Sequence, residues 1–366
     1  MTAEEIMKQH FGRFSCAVIS AFAALLLLVG CADLLVVSDA TGPEGGLYRV
    51  QAGGAFQCAK VQGLNSLVRG RKTGLFYGTV NRRGGGLVVL DEIPGGGIGV
   101  VHNVSTEGRT SCHLTLSPDE KFIYTANYGS GDISELRLKD GFPHGRPRLI
   151  RHSGHGVSSR QKSPHPHFVG FDPRGERLFV CDLGCDRIFV YDWAPETGLK
   201  VPAAEQLILP PGAGPRHLVF SPDGGKLFVA NELDSTAASF VRDPASGKWV
   251  MKCVVPTLPD AARCKNNYPG AILIDRDGGC FLVTNRGDDS IAVFGTAANG
   301  NFSLLATIPS GGEYPSGLAW TDDGRTLAVC HRKSGGVTFF DRDTEKWRFK
   351  QRSGRIDVPR AAEFCR

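Results

Sequence analysis

The sequence predicts an all-β protein, a seven-bladed β-propeller with four antiparallel strands in each blade. An apolar strand that ends in a polar or glycine-containing junction and leads into a second strand recurs along most of the chain. Successive junction residues are 43 to 55 positions apart, a period that suits one four-stranded blade. The seven junction residues are Ser38, Asn81, Asn127, Asp182, Asn231, Asn285 and His331.

The composition fits a fold made of short strands and tight turns. The 366 residues include 47 glycines and 21 prolines, which tight turns favour. The net charge of +5 is dispersed, whereas a nucleic-acid-binding protein would carry a basic stripe. Because the repeat fills the chain from residue 34 onward, we expect residues 34–366 to form one propeller domain. We expect a monomer that binds no nucleic acid.

Two features bear on where the protein resides, and they point in different directions. In the N-terminal extension, residues 1–33, the segment 15–30 has no charged residue and leads into Cys31, as in a bacterial lipoprotein signal. This pattern favours an exported or lipoprotein-anchored protein, attached to a membrane through the extension. The eleven cysteines form no CxxC pair and no zinc-finger spacing, which favours a reducing compartment. A cytoplasmic protein with an N-terminal extension is therefore the alternative.

One repeat, read as strands and turns, places a functional site at one end of the channel. We predict strands over 164–171, 176–181 and 186–191, joined by turns at 172–175 and 182–184. The second strand of an antiparallel pair ends beside the start of the first strand. The residues that open the inner strand and the residues that follow the second strand therefore share a face. Innermost strands line the channel, so this face is its mouth.

Four side chains at equivalent repeat positions are candidates for chemistry at this mouth. His167 lies six residues before Pro173, and Arg216 lies six before Pro222, so the two occupy the same place in adjacent blades. Glu232 and Arg286 follow the second strands of neighbouring blades. The predicted site is therefore one histidine, two arginines and one glutamate from three neighbouring blades.

Other polar residues of the repeat have a structural interpretation. Asn127 and Asn285 are typical turn residues, which bond their own backbone. Three aspartates are turn formers to which we assign no chemistry: Asp172, Asp223 and Asp277. Three further histidines are secondary candidates for ligand contact: His113, His165 and His217.

Five phrases, in this order, carry a resemblance to a known family: SPHPHFVGFDP, CDLGCDRIF, GPRHLVFSPDG, NELDST and NRGDDSIAVF. They resemble the lactonase family of seven-bladed β-propellers, which includes propeller-type 6-phosphogluconolactonases and fungal carboxy-cis,cis-muconate cyclases. The resemblance implies an active site at the channel mouth. It places the family's histidine on His167, its arginines on Arg216 and Arg286, and its glutamate on Glu232.

The chain departs from the family pattern at the rim around blades five and six. Family members tend to carry a carboxylate where this chain reads Gly270-Ala271-Ile272, and an arginine where it has Ser316. An expected Asn-Gln pair is replaced by His331-Arg332. These departures bear on the identity of the substrate more than on the class of reaction.

Lactone hydrolysis can be assigned to the four candidate residues. A base must activate water, and a cation must hold the oxyanion that forms at the carbonyl. The imidazole of His167 can accept a proton at neutral pH, and Arg216 or Arg286 offers a fork of donors to an oxyanion, phosphate or carboxylate. Glu232 could orient His167 or an arginine, or could itself be the base. This chemistry requires no metal and no organic cofactor.

We therefore expect hydrolysis of a sugar lactone, 6-phospho-D-glucono-1,5-lactone, to 6-phosphogluconate. One alternative is a carboxy-muconate-type lactonising cyclase, in which the arginines hold carboxylates. The other is a non-catalytic propeller that binds or scaffolds a partner, since fold does not settle function. The expected ligand in either enzyme is a small anionic lactone or carboxylate.

Overall fold

The computed structural model describes residues 34–51, 53–81, 85–95, 97–260, 266–343 and 347–365. Residues 1–33, on which the predicted signal segment falls, lie outside the described residues. Every regular element of the described part is a β-strand. The same ranges contain no helix long and apolar enough to cross a membrane.

The strands form seven antiparallel sheets, the blades, numbered 1 to 7 in chain order. Blade 1 begins with β1 (Leu34–Ser38), β2 (Gly46–Gln51) and β3 (Gly54–Lys60). Blade 2 contains β4 (Leu64–Arg69), β5 (Phe76–Val80), β6 (Gly86–Ile93) and β7 (Gly97–Val104). Blade 3 contains β8 (Ser111–Leu116), β9 (Phe122–Asn127), β10 (Asp132–Lys139) and β11 (Phe142–Arg151). Blade 4 contains β12 (Pro166–Phe171), β13 (Arg177–Asp182), β14 (Arg187–Ala194), β15 (Gly198–Leu199) and β16 (Glu205–Ile208).

The remaining blades repeat the four-stranded pattern. Blade 5 contains β17 (Pro215–Phe220), β18 (Lys226–Asn231), β19 (Thr236–Arg242) and β20 (Trp249–Pro256). Blade 6 contains β21 (Pro269–Ile274), β22 (Cys280–Asn285), β23 (Ser290–Thr296) and β24 (Phe302–Pro309). Blade 7 contains β25 (Pro315–Trp320), β26 (Thr326–His331), β27 (Val337–Asp343) and β28 (Arg348–Gln351), and β29 (Ala361–Phe364) follows.

The two ends of the described chain close the ring within blade 1. Strand β29 pairs antiparallel with β1, with Val36 opposite Phe364 and Val37 opposite Glu363, so the sheet order is β29-β1-β2-β3. The C-terminal segment thus supplies the innermost strand of the first blade. Strand β29 thereby covers an edge of β1 that would otherwise be unpaired and could recruit another chain.

The predicted strands of blade 4 agree with the observed ones to within a few residues. Strand β12 begins at Pro166 rather than at residue 164, because the His165 N–H donates to the Asp182 carboxylate at 2.7 Å instead of joining the ladder. The fourth strand is split, since β15 and β16 pair with opposite ends of β14.

The hydrophobic core lies between the blades. It divides into seven clusters, and each cluster joins residues of two adjacent blades, including the pair 7 and 1 across the closure. Cys181, Cys280 and Cys330 are fully or almost fully buried in three of these clusters. They therefore behave as small apolar side chains, as their strand positions predict.

A register shift recurs in every innermost strand near the channel mouth. Strands β12 and β17 each carry one residue more than their partners there, and the extra residues are His167 and Arg216. Such a bulge leaves the extra residue outside the ladder and redirects its side chain. We call the extra residues the bulge ring: Asn65, Cys112, His167, Arg216, Gly270, Ser316 and Ala362.

Candidate active site

The bulge ring opens into a cavity of about 810 Å³ at the channel mouth, and six of its seven members line that cavity. In blade 6 the next residue, Ala271, lines the cavity instead of Gly270. A second set of lining residues, the junction ring, comes directly after the second strands of the blades: Asp39, Asn81, Tyr128, Glu232, Arg286 and Arg332. The predicted site residues His167, Arg216, Glu232 and Arg286 therefore all reach one cavity.

Equivalent backbone hydrogen bonds fix members of the junction ring at matching heights in their blades. The N–H groups of Glu232, Arg286 and Arg332 donate to carbonyls at 2.8, 3.3 and 3.0 Å. In each case the accepting carbonyl lies just before the innermost strand of the same blade, on Gly214, Tyr268 or Tyr314. The repeated backbone thus presents a glutamate in blade 5 and arginines in blades 6 and 7 to the same space.

Glu232 is at the centre of a cluster of three arginines. Its Oε2 lies 3.1 Å from Nε of Arg216 and accepts from Nη2 of Arg286 at 2.5 Å. Its Oε1 lies 2.7 Å from Nη1 of Arg160. The carboxylate is almost fully buried, and arginines contact both of its oxygens.

Backbone carbonyls fix the two inner arginines. Nη1 of Arg216 donates to the Gly270 carbonyl at 3.1 Å, and Nε of Arg286 donates to the Tyr268 carbonyl at 2.8 Å. The Arg286 guanidinium also lies 5.3 Å from the ring centre of Tyr314, a cation–π distance. Within the described part of the chain, Nη2 of Arg216 and Nη1 of Arg286 make no hydrogen bond and remain available to a ligand.

The electrostatics of this cluster favour an anion. Burial raises the pKa of Glu232, but the charges of Arg286, Arg216 and Arg160 outweigh it and hold that pKa far below its ordinary value. Burial, with help from Arg286, lowers the pKa of Arg216 to about 10. Three guanidiniums face one carboxylate, so the cluster retains an excess of positive charge at neutral pH.

His167 stands beside this cluster with a neutral imidazole. Burial, followed by the charge of Arg216, holds the pKa of His167 well below its ordinary value. Its ring centre lies 5.8 Å from that of Tyr128 and 5.4 Å from that of His217. Nδ1 is buried without a hydrogen-bond partner in the described structure, which leaves Nε2 as the nitrogen that can reach water in the cavity.

The secondary histidine candidates divide into two environments. His217 lines the cavity behind His167, and His113 lies next to it, 5.2 Å between ring centres. His165 stacks on Tyr128 at 4.5 Å, and its Nδ1 lies 2.7 Å from the Tyr128 carbonyl oxygen, which gives it a structural role. Among the described residues, no group of three or more His, Cys, Asp or Glu side chains could hold a metal ion.

The junction asparagines are structural, but not in the predicted way. Asn127 is fully buried; its Nδ2 donates to Asp132 and Ser134 at 2.7 Å each, and its Oδ1 accepts from Ser111 at 2.7 Å. The predicted bonds to its own backbone are replaced by bonds to neighbouring side chains, because a fully buried amide requires several partners. Asn285 likewise bonds Asn267 and the Thr257 carbonyl, among others.

The sequence reasoning missed Arg160 and Cys112. Arg160 belongs to the long connection between blades 3 and 4, so the repeat gives no signal for it. In addition to its contact with Glu232, its Nη2 donates to the Tyr128 hydroxyl at 3.2 Å. Cys112 did carry a signal, since it lies six residues before Pro118, the same offset that identified His167 and Arg216. Burial raises the pKa of the Cys112 thiol to about 12.

A second charged group lines the cavity where blades 7 and 1 meet. Arg332 forms a close ion pair with Asp39 through Nη2 and Oδ2. Asp39 also accepts from Arg360, whose Nε lies 2.8 Å and whose Nη2 lies 3.4 Å from its two oxygens. One carboxylate thus serves two guanidiniums.

The chain and fold match known proteins over most of their length. A family profile described as lactonase, 7-bladed beta-propeller, matches residues 56–364. The 6-phosphogluconolactonase of Bacillus subtilis is 29% identical over 255 residues, which cover 69% of this chain and 72% of that protein. The solved structure of a periplasmic gluconolactonase from Pseudomonas aeruginosa superposes with a TM-score of 0.82 at 25% identity, covering 91% of this chain and 98% of the other. A protein from Lactobacillus plantarum superposes with a TM-score of 0.83 at 26% identity, covering 91% and 98%.

Proposed function

This chain belongs to the seven-bladed β-propeller lactonase family, and on that premise we propose that it hydrolyses the cyclic ester of a sugar lactone. The substrate we propose is 6-phospho-D-glucono-1,5-lactone. The relatives named 6-phosphogluconolactonase and gluconolactonase support this choice of substrate class. The observation that carries the proposal is a neutral imidazole beside a fixed arginine cluster in one cavity.

The proposed reaction divides proton transfer and charge stabilisation between His167 and Arg216. His167 accepts a proton from a water molecule as that water attacks the lactone carbonyl carbon. The carbonyl oxygen becomes an oxyanion, which Arg216 stabilises through its available Nη2. The tetrahedral intermediate then collapses, the bond to the ring oxygen breaks, and the imidazolium returns its proton to the departing alkoxide. The product is the open-chain hydroxy acid, which ionises to the carboxylate.

Glu232 acts in this scheme by positioning arginines, not as the base. Its two oxygens are engaged by three guanidiniums, and its pKa lies far below the ordinary range. A carboxylate paired with three cations binds a proton weakly. The pKa of His167 is lowered as well, but its imidazole is unprotonated at neutral pH and forms no ion pair among the described residues, so we assign the base to His167.

The excess positive charge of the arginine cluster supports an anionic substrate. A bound anion would neutralise part of the repulsion among Arg160, Arg216 and Arg286, which Glu232 offsets only in part. Because Arg216 and Arg286 are largely buried, such an interaction is stronger there than at an open surface.

The proposal is tested by comparing the loss of 6-phospho-D-glucono-1,5-lactone with its spontaneous hydrolysis at the same pH. We expect the wild-type protein to accelerate it, His167→Ala to abolish the acceleration, and Arg216→Ala to reduce kcat about 100- to 1,000-fold. Arg216→Lys should recover only part of the rate, because lysine keeps the charge and loses the planar fork.

Arg174→Ala is the matched control, because Arg174 is exposed in the turn after β12, at the end of the strand away from the mouth. Circular dichroism establishes that each variant is folded. No acceleration by folded wild-type protein, with phosphorylated or unphosphorylated gluconolactone, would refute the proposed function. Near-normal turnover by folded Arg216→Ala would refute the assigned site.

A further inference from the structure

The pair of Arg332 and Asp39 faces His167 across the channel. The innermost strands contact one another in the order β4, β8, β12, β17, β21, β25 and β29, and β29 contacts β4 again. In a closed ring of seven, the blades opposite blade 4 are blades 7 and 1. His167 belongs to blade 4, whereas Arg332 and Asp39 follow the second strands of blades 7 and 1.

Arg332 is held in the geometry of a ligand-binding side chain. Its backbone N–H donates to the Tyr314 carbonyl at 3.0 Å, the same bond that places Arg286 one blade earlier. The side chain lines the same cavity as His167 and Arg216 and is partly exposed there. Its repeat position is therefore one that blades 5 and 6 use to present charged groups to the cavity.

The charge of Arg332 is only partly neutralised by its partner. Asp39 is buried and already accepts two bonds from the Arg360 guanidinium, so two cations share one carboxylate. In the described structure, Nε of Arg332 is buried without a hydrogen-bond partner. A third cation extends the positive surface, since Nζ of Lys333 lies 4.8 Å from the ring centre of Tyr314, the ring that Arg286 also contacts.

From this arrangement we propose that Arg332 binds the anionic group of the substrate at the side of the cavity opposite His167 and selects phosphorylated over unphosphorylated sugar lactones. The inference rests on the proposed function, because it assigns the reacting carbonyl to His167 and Arg216. A cavity of about 810 Å³ has room for a ligand that extends from the carbonyl toward blades 7 and 1. The two arginine groups then have separate tasks, the oxyanion for one and the phosphate for the other.

The test compares Arg332→Ala with wild type on two pairs of ligands. The first pair is 6-phosphoglucono-1,5-lactone and glucono-1,5-lactone, for which kcat and KM are measured. The second pair is the products, 6-phosphogluconate and gluconate, whose dissociation constants are measured by calorimetry. We expect Arg332→Ala to reduce the preference for the phosphorylated member about 10- to 100-fold in both measurements, mainly through KM and Kd. Arg332→Lys should retain an intermediate preference.

Asp39→Asn separates recognition from a structural role in ring closure. Both Arg332→Ala and Asp39→Asn remove the ion pair between blades 7 and 1, so a purely structural role predicts lower thermal stability in both with unchanged preference. Recognition predicts opposite effects, because Asp39→Asn leaves the positive charge of Arg332 unneutralised and should raise the preference for the phosphorylated ligand. Arg174→Ala controls for loss of one positive charge.

The outcomes distinguish this inference from the proposed function. Lactone turnover by wild type with a preference that survives Arg332→Ala would overturn the inference and leave the function standing. Absence of turnover, with a preference for 6-phosphogluconate over gluconate that Arg332→Ala removes, would overturn the function and support the phosphate site. A wild-type protein with no preference for either phosphorylated ligand would also overturn the inference.

Discussion

Replacing Glu232 with glutamine should destabilise the protein and disorganise its arginine cluster. The substitution keeps the size of the side chain but removes the charge that holds Arg160, Arg216 and Arg286 together. One glutamine oxygen can still accept from a guanidinium. The glutamine nitrogen is a donor, so it would face the donors of at least one arginine without an acceptor between them.

The magnitude follows from the burial of the partners. The side chains of Arg216 and Arg286 are 13% and 6% exposed, and that of Glu232 is 6% exposed, so two of the three pairs are shielded from water. Removing one member of a buried ion pair costs about 3–5 kcal/mol, because the charge that remains is uncompensated. Arg160 is 42% exposed, and its pair adds at most about 1 kcal/mol. We therefore expect Glu232→Gln to lower the free energy of unfolding by about 3–5 kcal/mol at neutral pH.

The same substitution has a predicted pH dependence. The pKa of Glu232 is lowered in the folded protein, so its charge stabilises the fold at pH values above its unfolded-state pKa of about 4.3. Below that value the stabilisation is lost progressively as the pH falls toward the folded-state pKa. Urea denaturation followed by tryptophan fluorescence should thus show a constant difference between wild type and Glu232→Gln above about pH 5 and a shrinking one in acid.

Kinetics distinguish a positioning role of Glu232 from a role as the base. If it positions arginines, Glu232→Gln weakens product binding as well as turnover, because both depend on guanidinium orientation. If it is the base, turnover falls about 100-fold or more with product affinity preserved. Unchanged stability and activity in the variant would refute the cluster as described, and lost turnover with intact product binding would refute the assignment of the base to His167.

Three further predictions address the backbone, the ring and the base. Gly270→Ala should destabilise the protein by about 1–3 kcal/mol and weaken product binding, because the new Cβ would lie 2.7 Å from Thr284 Oγ1 and 3.0 Å from the Arg286 side chain. The control is Gly225→Ala, in which the atom nearest to the new Cβ would be 3.5 Å away. Equal denaturation midpoints for the two variants would contradict this prediction. Deleting residues 361–366 removes β29 and should yield aggregated or unfolded protein, because β1 loses its pairing partner. Gel filtration and circular dichroism would compare this protein with a chain that lacks only the last residue. A folded monomer would show that blade 1 does not need β29. Arg216→Ala should raise the pKa of His167 toward its ordinary value, because the Arg216 charge helps to lower that pKa. The measurement is an NMR titration of the histidine rings, with Arg174→Ala as control. An unchanged pKa of His167 would show that Arg216 does not contribute to lowering it.

The repeat made the architecture and the core of the site predictable. Each junction residue ends the second strand of its blade or follows it directly, because the turn chemistry recurs with the fold. The constant offset from the turn placed His167 and Arg216 at equivalent positions without knowledge of the bulges that direct their side chains. A bulge is a property of the pairing between two strands, and the proline that precedes it in β12, β17, β21 and β25 does not by itself predict a register shift.

What the sequence could not show lies outside the repeat or depends on contacts between distant blades. Arg160 is in an irregular connection, so no periodic position identified it, and it completes the arginine cluster only through the folded path of that connection. Arg332 and Asp39 are nearly 300 positions apart, and only ring closure makes them partners. The proposal of His167 rather than Glu232 as base likewise required the contacts of the folded chain, because only they show that guanidiniums engage both oxygens of Glu232.

The two rings explain how one repeated backbone can build an asymmetric site. Bulge and junction positions are equivalent in every blade, so the side chain alone decides what each contributes. Blades 4 to 6 supply the histidine proposed as base, two arginines and a carboxylate, whereas small side chains occupy the bulge ring at Gly270, Ser316 and Ala362. Because the backbone bonds that hold these positions do not depend on the side chains, the rim can change while the reaction centre is kept. The departures at Ala271, Ser316 and Arg332 are therefore the positions at which we expect substrate choice to be set, and the positive charge gained at Arg332 favours an anionic group there.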